Sequence, residues 1–376
     1  MERYLHKALR ADFTSKKILI ISGPRQSGKT TLARSLSDNH VYLNWDDPEH
    51  RGAILKRDWD REPPLLVLDE LHKMPRWKSW LKGLYDTARS AQTIVVTGSA
   101  RIDTFRRVGD SLAGRYFHFR LHPIDAKEAK MFAAIPGATS IERILQVGGF
   151  PEPFLKGSPQ FYRRWSRTHT DMILKQDLID LEVIANVQMM ILLIERLRHA
   201  VGSPISIHAI AEDLQVSDKA IRRWLGLLEE LYVIFRLGTY HRNVARSIHK
   251  PSKYYFYDSA RITDAGARFE NLVANALKKE IDYRNDCLGE DYDLFMLRDR
   301  DQKEIDFLIT KNQQPHLMIE AKSSDPTPAR AFAIFAQRAK VSRAIQVVRE
   351  LDRTREYDSG LRIVPASKWL ETLRME

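Results

Sequence analysis

The sequence predicts an α/β fold, and three observations predict it. Five short apolar runs alternate with helical segments over residues 1–122. The first of these runs leads into a glycine-rich stretch, GPRQSGKT at 23–30, with a helical segment behind it. Further strand candidates return after residue 255, beyond a long stretch that reads as helices.

The five runs are KILIIS (17–22), VYLNW (41–45), LLVLDE (65–70), TIVVTGS (93–99) and YFHFRL (116–121). Each is apolar and bounded by polar or turn residues. That is the pattern of central strands in a parallel sheet covered by helices on both faces. Residues 123–185 hold no strand candidate and read as a small helical module around two breaks, IPGAT and GGFPEPFLKGSP. Residues 186–245 read as a winged helix. A short helix (207–214) is followed by a turn at Gln215-Val216 and a second helix that Ser217 caps and Asp218 opens. YVIFRLGTYHR is expected to supply the wing strands, and RNVARSIHKPSK (242–253) reads as a linker. Residues 255–376 turn α/β again, with FENLVANALKKEI as a helix and LFMLRD, EIDFLIT, HLMIEAKS and RAIQVVRE as strands.

A chain of 376 residues with 43% hydrophobic residues has room for several buried cores. The net charge of +11 suits a polyanionic partner without proving one. The single cysteine, Cys287, cannot form an internal disulfide, and no Cys/His cluster has zinc spacing. No apolar run approaches the ~20 residues of a membrane span, and the N-terminus has no apolar signal core. These features predict a cytoplasmic protein with no membrane partner.

GPRQSGKT fills every fixed position of a phosphate-binding loop. Backbone N–H groups of the loop and the helix start converge on one spot. Gly23, Pro24, Arg25, Gln26, Ser27, Gly28, Lys29, Thr30 and Thr31 are therefore the expected ATP contacts. Lys29 would reach the β- and γ-phosphates, and the Thr30 hydroxyl would ligate Mg²⁺. Such a loop needs a second carboxylate for the metal. LLVLDE supplies Asp69 for it and Glu70 to polarise the attacking water. TIVVTGS would bring Thr97 and Ser99 near the γ-phosphate, although Thr-Gly-Ser is also an ordinary turn ending a strand.

These positions resemble the AAA+ class of P-loop ATPases. The resemblance is closest to prokaryotic AAA+-like ATPases with a winged helix and a C-terminal restriction-endonuclease-like domain. It spans nearly the whole chain and rests on GPRQSGKTT (23–31), LLVLDE (65–70), VVTGSA (95–100), SLAGRYF (111–117) and GGFPEP (148–153). It implies that Arg115 acts as an arginine finger, from its own chain or a neighbouring subunit; a surface arginine is the competing reading. Gly149-Phe150-Pro151 is similar to an element of related ATPase lids whose proline, here Pro151, touches the adenine. A plain break between helices explains it equally well. Homo-oligomers are implied.

In the C-terminal part, Asp306 lies on one strand candidate and Glu320 and Lys322 on the next, with Glu270 near a helix start. Two-residue alternation puts Glu320 and Lys322 on one strand face. Asp306, Glu320 and Glu270 would bind Mg²⁺, and Lys322 would orient water or stabilise developing charge. This resembles the PD-(D/E)xK nuclease superfamily, except that Ile305 stands where its proline would be. Such domains also occur as binding modules without catalysis.

The winged helix suggests DNA as partner, with Lys219, Arg222 and Arg223 facing the phosphate backbone and Arg242 and Arg246 extending the path. Packing between domains is the other use of such a module. Two functions thus stand: an ATPase that binds or remodels DNA with a tethered nuclease-like domain, or a nucleotide-controlled switch whose C-terminal domain binds a partner. A nucleotide kinase would need neither added module.

Overall fold

The computed structural model describes residues 2–87, 92–98, 112–173, 187–241 and 251–375. They gather into two compact units. The first is Met1–His122 with Glu230–Tyr232 and Asp286–Leu288; the second is Pro123–Glu229, Val233–Asn285 and Gly289–Glu376.

The first unit is built on five strands: β1 (Ile18–Ser22), β2 (His40–Asn44), β3 (Leu65–Asp69), β4 (Thr93–Thr97) and β5 (Tyr116–Arg120). All pair in parallel in the order β2-β3-β4-β1-β5. The apolar runs of β1, β3 and β4 are buried from end to end, as strands covered on both faces must be. Helices α1 (His6–Ala11), α2 (Lys29–Arg34), α3 (Pro48–Lys56) and α4 (Trp77–Asp86) accompany the sheet. Ile20, Leu66, Leu68 and Val96 pack with Ile54 of α3 and with Trp77, Leu81 and Leu84 of α4 in one core. Because the strands are parallel, the ends of β1, β3 and β4 reach the same sheet edge: Asp69 pairs with Thr97, and Thr97 with Ile21.

The second unit opens with four helices, α5 (Ala126–Ala133), α6 (Gly137–Val147), α7 (Pro151–Lys156) and α8 (Pro159–Met172). Asp125 and Ser158 cap α5 and α8 with their side chains. Then come α9 (Val187–Ala200), α10 (Ile207–Asp213) and α11 (Asp218–Glu230), and the antiparallel hairpin β6 (Ile234–Leu237) with β7 (Lys253–Phe256). The expected cap is present, since Ser217 Oγ accepts from the Ala220 N–H at 3.2 Å. The wing differs from expectation. Its second strand begins at Lys253, the last residue of the expected linker, and not within YVIFRLGTYHR. The apolar run KYYFYD, which follows the polar stretch, is what pairs with β6.

After α12 (Ala265–Leu288) comes a mixed six-stranded sheet of β8 (Tyr292–Arg298), β9 (Glu304–Lys311), β10 (Gln314–Lys322), β11 (Ala344–Val348), β12 (Arg355–Glu356) and β13 (Leu361–Pro365). Its order is β12-β13-β11-β10-β9-β8. Helices α13 (Ala331–Ala339) and α14 (Ala366–Thr372) complete the unit. The helical, winged-helix and C-terminal segments share contacts throughout this unit. Ile205 bridges to Ser252, Thr239 to Met296, and α14 packs on α5 and α6. No described helix is long and apolar enough to cross a membrane.

Candidate nucleotide site and carboxylate cluster

The loop between β1 and α2 lies at the sheet edge where β3 and β4 also end. Gly23 has φ +145°, and a Cβ there would lie 2.3 Å from the Leu121 carbonyl oxygen, so only glycine lets the loop pass this close to the chain after β5. Gly28 turns the chain into α2 with φ +94°. Lys29 is buried, and its Nζ donates to the carbonyls of Gly23 (3.0 Å) and Pro24 (2.7 Å). The ammonium is thus held inside the loop's own curve. The buried Ser27 hydroxyl has no hydrogen-bond partner among the described residues.

Asp69 ends β3 and is buried. Its Oδ2 accepts from the Thr30 hydroxyl at 2.8 Å and the Tyr42 hydroxyl at 2.9 Å; its Oδ1 accepts from the Thr97 hydroxyl. A carboxylate and a threonine hydroxyl in contact, beside a loop lysine, are a hard-oxygen donor set suited to Mg²⁺ carrying phosphates. Glu70 follows with φ +54°, in the left-handed region that residues other than glycine seldom adopt. Its N–H donates to the Thr97 carbonyl at 3.0 Å. Among the described residues Glu70 Oε2 makes no hydrogen bond, and it lies 3.6 Å from Lys73 Nζ. Burial raises the Glu70 carboxyl above its ordinary range, with Lys73 and Lys29 opposing. Ser99 lies outside the described residues, as do Arg242 and Arg246.

Arg3 was invisible in the sequence as a site residue. Nearly buried, it donates from Nη1 to the Ser27 carbonyl (2.5 Å) and from Nη2 to the His122 carbonyl (2.6 Å), pinning the loop to the chain after β5. An arginine near a terminus carries no pattern that foretells this.

Arg115 does not join the phosphate site of its own chain. Its carbonyl accepts from the Ile18 N–H at 3.0 Å, at the amino-terminal edge of the sheet. The five residues of β1 separate that edge from the loop, roughly 16 Å at strand rise. Its guanidinium grips Asp86 at the end of α4, Nε to Oδ1 at 2.8 Å and Nη2 to Oδ2 at 3.3 Å. Pro151 is the first residue of α7, where proline's missing N–H costs nothing.

In the second unit, the four C-terminal residues converge. Glu320 Oε2 accepts from the Asp306 N–H at 3.2 Å, and Asp306 Oδ2 from the Ala321 N–H at 3.0 Å. Lys322 Nζ stands 2.7 Å from Glu320 Oε1, as strand alternation requires. Burial, then Asp306, pushes both Glu270 and Glu320 up to about 7. Two further residues belong to the cluster. Lys253 of β7, fully buried, places Nζ 3.0 Å from Glu270 Oε1, 3.2 Å from Asp306 Oδ1 and 2.5 Å from Glu304 Oε1. Among the described residues no group of three or more acidic, histidine or cysteine side chains is arranged to hold a metal ion.

Lys219, Arg222 and Arg223 are exposed on α11 at the i, i+3, i+4 spacing of one helix face. Arg222 lines a groove of about 630 Å³ with Arg236, Arg298, His208 and Tyr254, tempered by Asp218 and Glu229.

The first unit thus combines a parallel sheet with β1 between β4 and β5 and a Lys29–Thr30–Asp69 constellation at its loop, the arrangement of a phosphate-binding loop on an α/β sheet. Residues 15–130 match the family described as "AAA domain". Residues 138–265 and 265–369 match two domains of unknown function, DUF8612 and DUF4143. An uncharacterized protein of Mycobacterium tuberculosis is 23% identical over 351 residues, covering 88% of this chain and 74% of that one. One of Haemophilus influenzae is 24% identical over 347 residues, covering 82% and 83%. Among solved structures, a variant of Thermotoga maritima RuvB is similar at 16% identity and a TM-score of 0.31, over 62% of this chain and 87% of that one. The Bacillus subtilis DNA clamp loader delta protein is similar at 12% identity and a TM-score of 0.29, over 60% and 88%.

Proposed function

We propose that the chain is an ATPase whose nucleotide cycle is coupled to DNA. The contact of Thr30 with Asp69, with Glu70 next in the chain and Lys29 in the loop, carries this reading. Mg²⁺, when bound, would neutralise charge on the β- and γ-phosphates, with Thr30 and Asp69 holding it. Loop amides and Lys29 would hold the phosphates, Lys29 leaving the Gly23 and Pro24 carbonyls to do so. Glu70, whose Oε2 accepts no hydrogen bond among the described residues and whose carboxyl is raised by burial, would take a proton from the attacking water. Arg115, distant from its own loop, would reach a γ-phosphate only from another copy of the chain, which supports a homo-oligomer as the hydrolysing species.

The exposed face of Lys219, Arg222 and Arg223 supports DNA as the partner, contacted mainly through phosphates. The test is steady-state ATP hydrolysis in Mg²⁺ with duplex, single-stranded and branched DNA, scoring cleavage in the same tubes. Stimulation by one DNA form is expected; indifference to every form overturns the coupling. The second reading, a nucleotide-controlled switch whose C-terminal sheet binds a partner without cutting, is favoured by one observation: Lys253 sits among the carboxylates that cleavage would require.

A further inference from the structure

A metal-dependent phosphodiesterase needs carboxylate oxygens free to surround a divalent ion, which takes about six oxygen ligands. Here each candidate ligand already holds a cation. Glu270 Oε1 takes Lys253 and, at 2.7 Å, the Tyr255 hydroxyl. Asp306 gives Oδ1 to Lys253 and Oδ2 to a backbone N–H. Glu320 gives Oε1 to Lys322 and Oε2 to a backbone N–H. Glu304 is shared between Lys253 and Arg298, whose Nη1 lies 2.6 Å from Oε2. On the remaining side of Glu270 the backbone closes in: a Cβ at Gly202 would lie 2.8 Å from Oε2.

We propose that the Lys253 ammonium is the resident cation of this cluster, occupying the place a divalent ion takes in PD-(D/E)xK nucleases, so that the cluster fastens the wing hairpin to the C-terminal sheet and does not cleave nucleic acid through a metal. Lys253 comes from β7, Glu270 from α12, and Glu304 and Asp306 from β9. One buried ammonium therefore ties three elements together. Burial works against its charge, but Asp306, Glu270 and Glu304 outweigh that and hold it well above the ordinary lysine range. A divalent ion bound to the same oxygens would face this ammonium at close range in a site of low polarisability, where repulsion is strong. The inference rests on the geometry of the second unit and is independent of the ATPase reading.

The test counts Mn²⁺ bound to the full chain without nucleotide, by electron paramagnetic resonance of the free ion. All arms carry Asp69→Asn, so that the phosphate site takes no part. Adding Asp306→Asn is expected to leave Mn²⁺ binding unchanged, whereas adding Lys253→Met is expected to gain one bound Mn²⁺ per chain. Loss of a bound Mn²⁺ on Asp306→Asn overturns the proposal, and so does a folded Lys253→Met chain that gains none. If the Lys253→Met chain fails to fold, the comparison with and without Asp306→Asn decides alone.

Discussion

Thr30 donates its hydroxyl to Asp69 Oδ2 across 2.8 Å, joining the first turn of α2 to the end of β3. Two segments 39 residues apart are thereby fixed at the same sheet edge. Thr30→Ala removes the donor and, with it, the hydroxyl proposed to hold Mg²⁺. Its ATP hydrolysis is expected to fall steeply in Mg²⁺ while the far-ultraviolet circular dichroism is unchanged. Near-normal turnover would assign the metal elsewhere.

Glu70→Gln keeps the shape of the side chain and removes the proposed base. Hydrolysis is expected to fall by about 10²–10⁴-fold, with fluorescent ATP-analogue binding retained. The raised Glu70 carboxyl gives a sign for pH as well. Activity requires the carboxylate, so the acid limb of the kcat profile is expected above the normal carboxylate range. A limb within that range would remove Glu70 from the role.

Arg115→Ala separates hydrolysis within one chain from hydrolysis between chains. Nucleotide affinity of the dilute chain is expected to stay the same. Specific activity of the unaltered protein is expected to rise with protein concentration, and the variant to lose that rise. Mixing Arg115→Ala with Glu70→Gln chains is expected to restore part of the activity, since one contributes the base and the other the guanidinium. No restoration in the mixture, with both variants folded, would count against a shared site.

Arg222→Ala with Arg223→Ala is expected to weaken DNA binding about equally across sequences. The slope of log affinity against log salt is expected to flatten by about 2, roughly one for each phosphate left without its arginine. An unchanged slope would place the DNA elsewhere or remove it as a partner.

The carboxylate cluster should make stability depend on pH. Glu270 and Glu320 stand near 7 in the folded chain, above the unfolded value of about 4.3. The folded state therefore holds protons more tightly than the unfolded one. Their effect favours folding at low pH and is lost as pH rises from the unfolded value toward about 7. The urea midpoint of the unaltered chain, minus that of Glu320→Gln, is expected to fall over this window and level off above it. A flat difference would mean that Glu320 titrates normally.

The geometry of the candidate nucleotide site was legible because its parts are local. GPRQSGKT is one unbroken string, and Asp69 and Glu70 stand at the end of an apolar strand. Parallel pairing then brings them together without further information. Glu320 and Lys322 were legible for the same reason, since strand alternation puts them on one face. Lys253 and Glu304 were not. Their meeting depends on β7 pairing with β6 across residues 238–252 and packing beside β9, and no periodicity in the sequence encodes that. Arg115's place was not legible: its motif says nothing of which sheet edge it occupies, and Asp86, its partner, belongs to a different run of sequence.

A chain that brings its own counter-charge to a buried acidic cluster needs nothing from its surroundings to complete it. On these proposals the supply of divalent ions would bear on the nucleotide site alone. Chelators would halt the nucleotide cycle while leaving the join between hairpin and sheet intact, so the two units would answer to different chemical signals even though one polypeptide carries both.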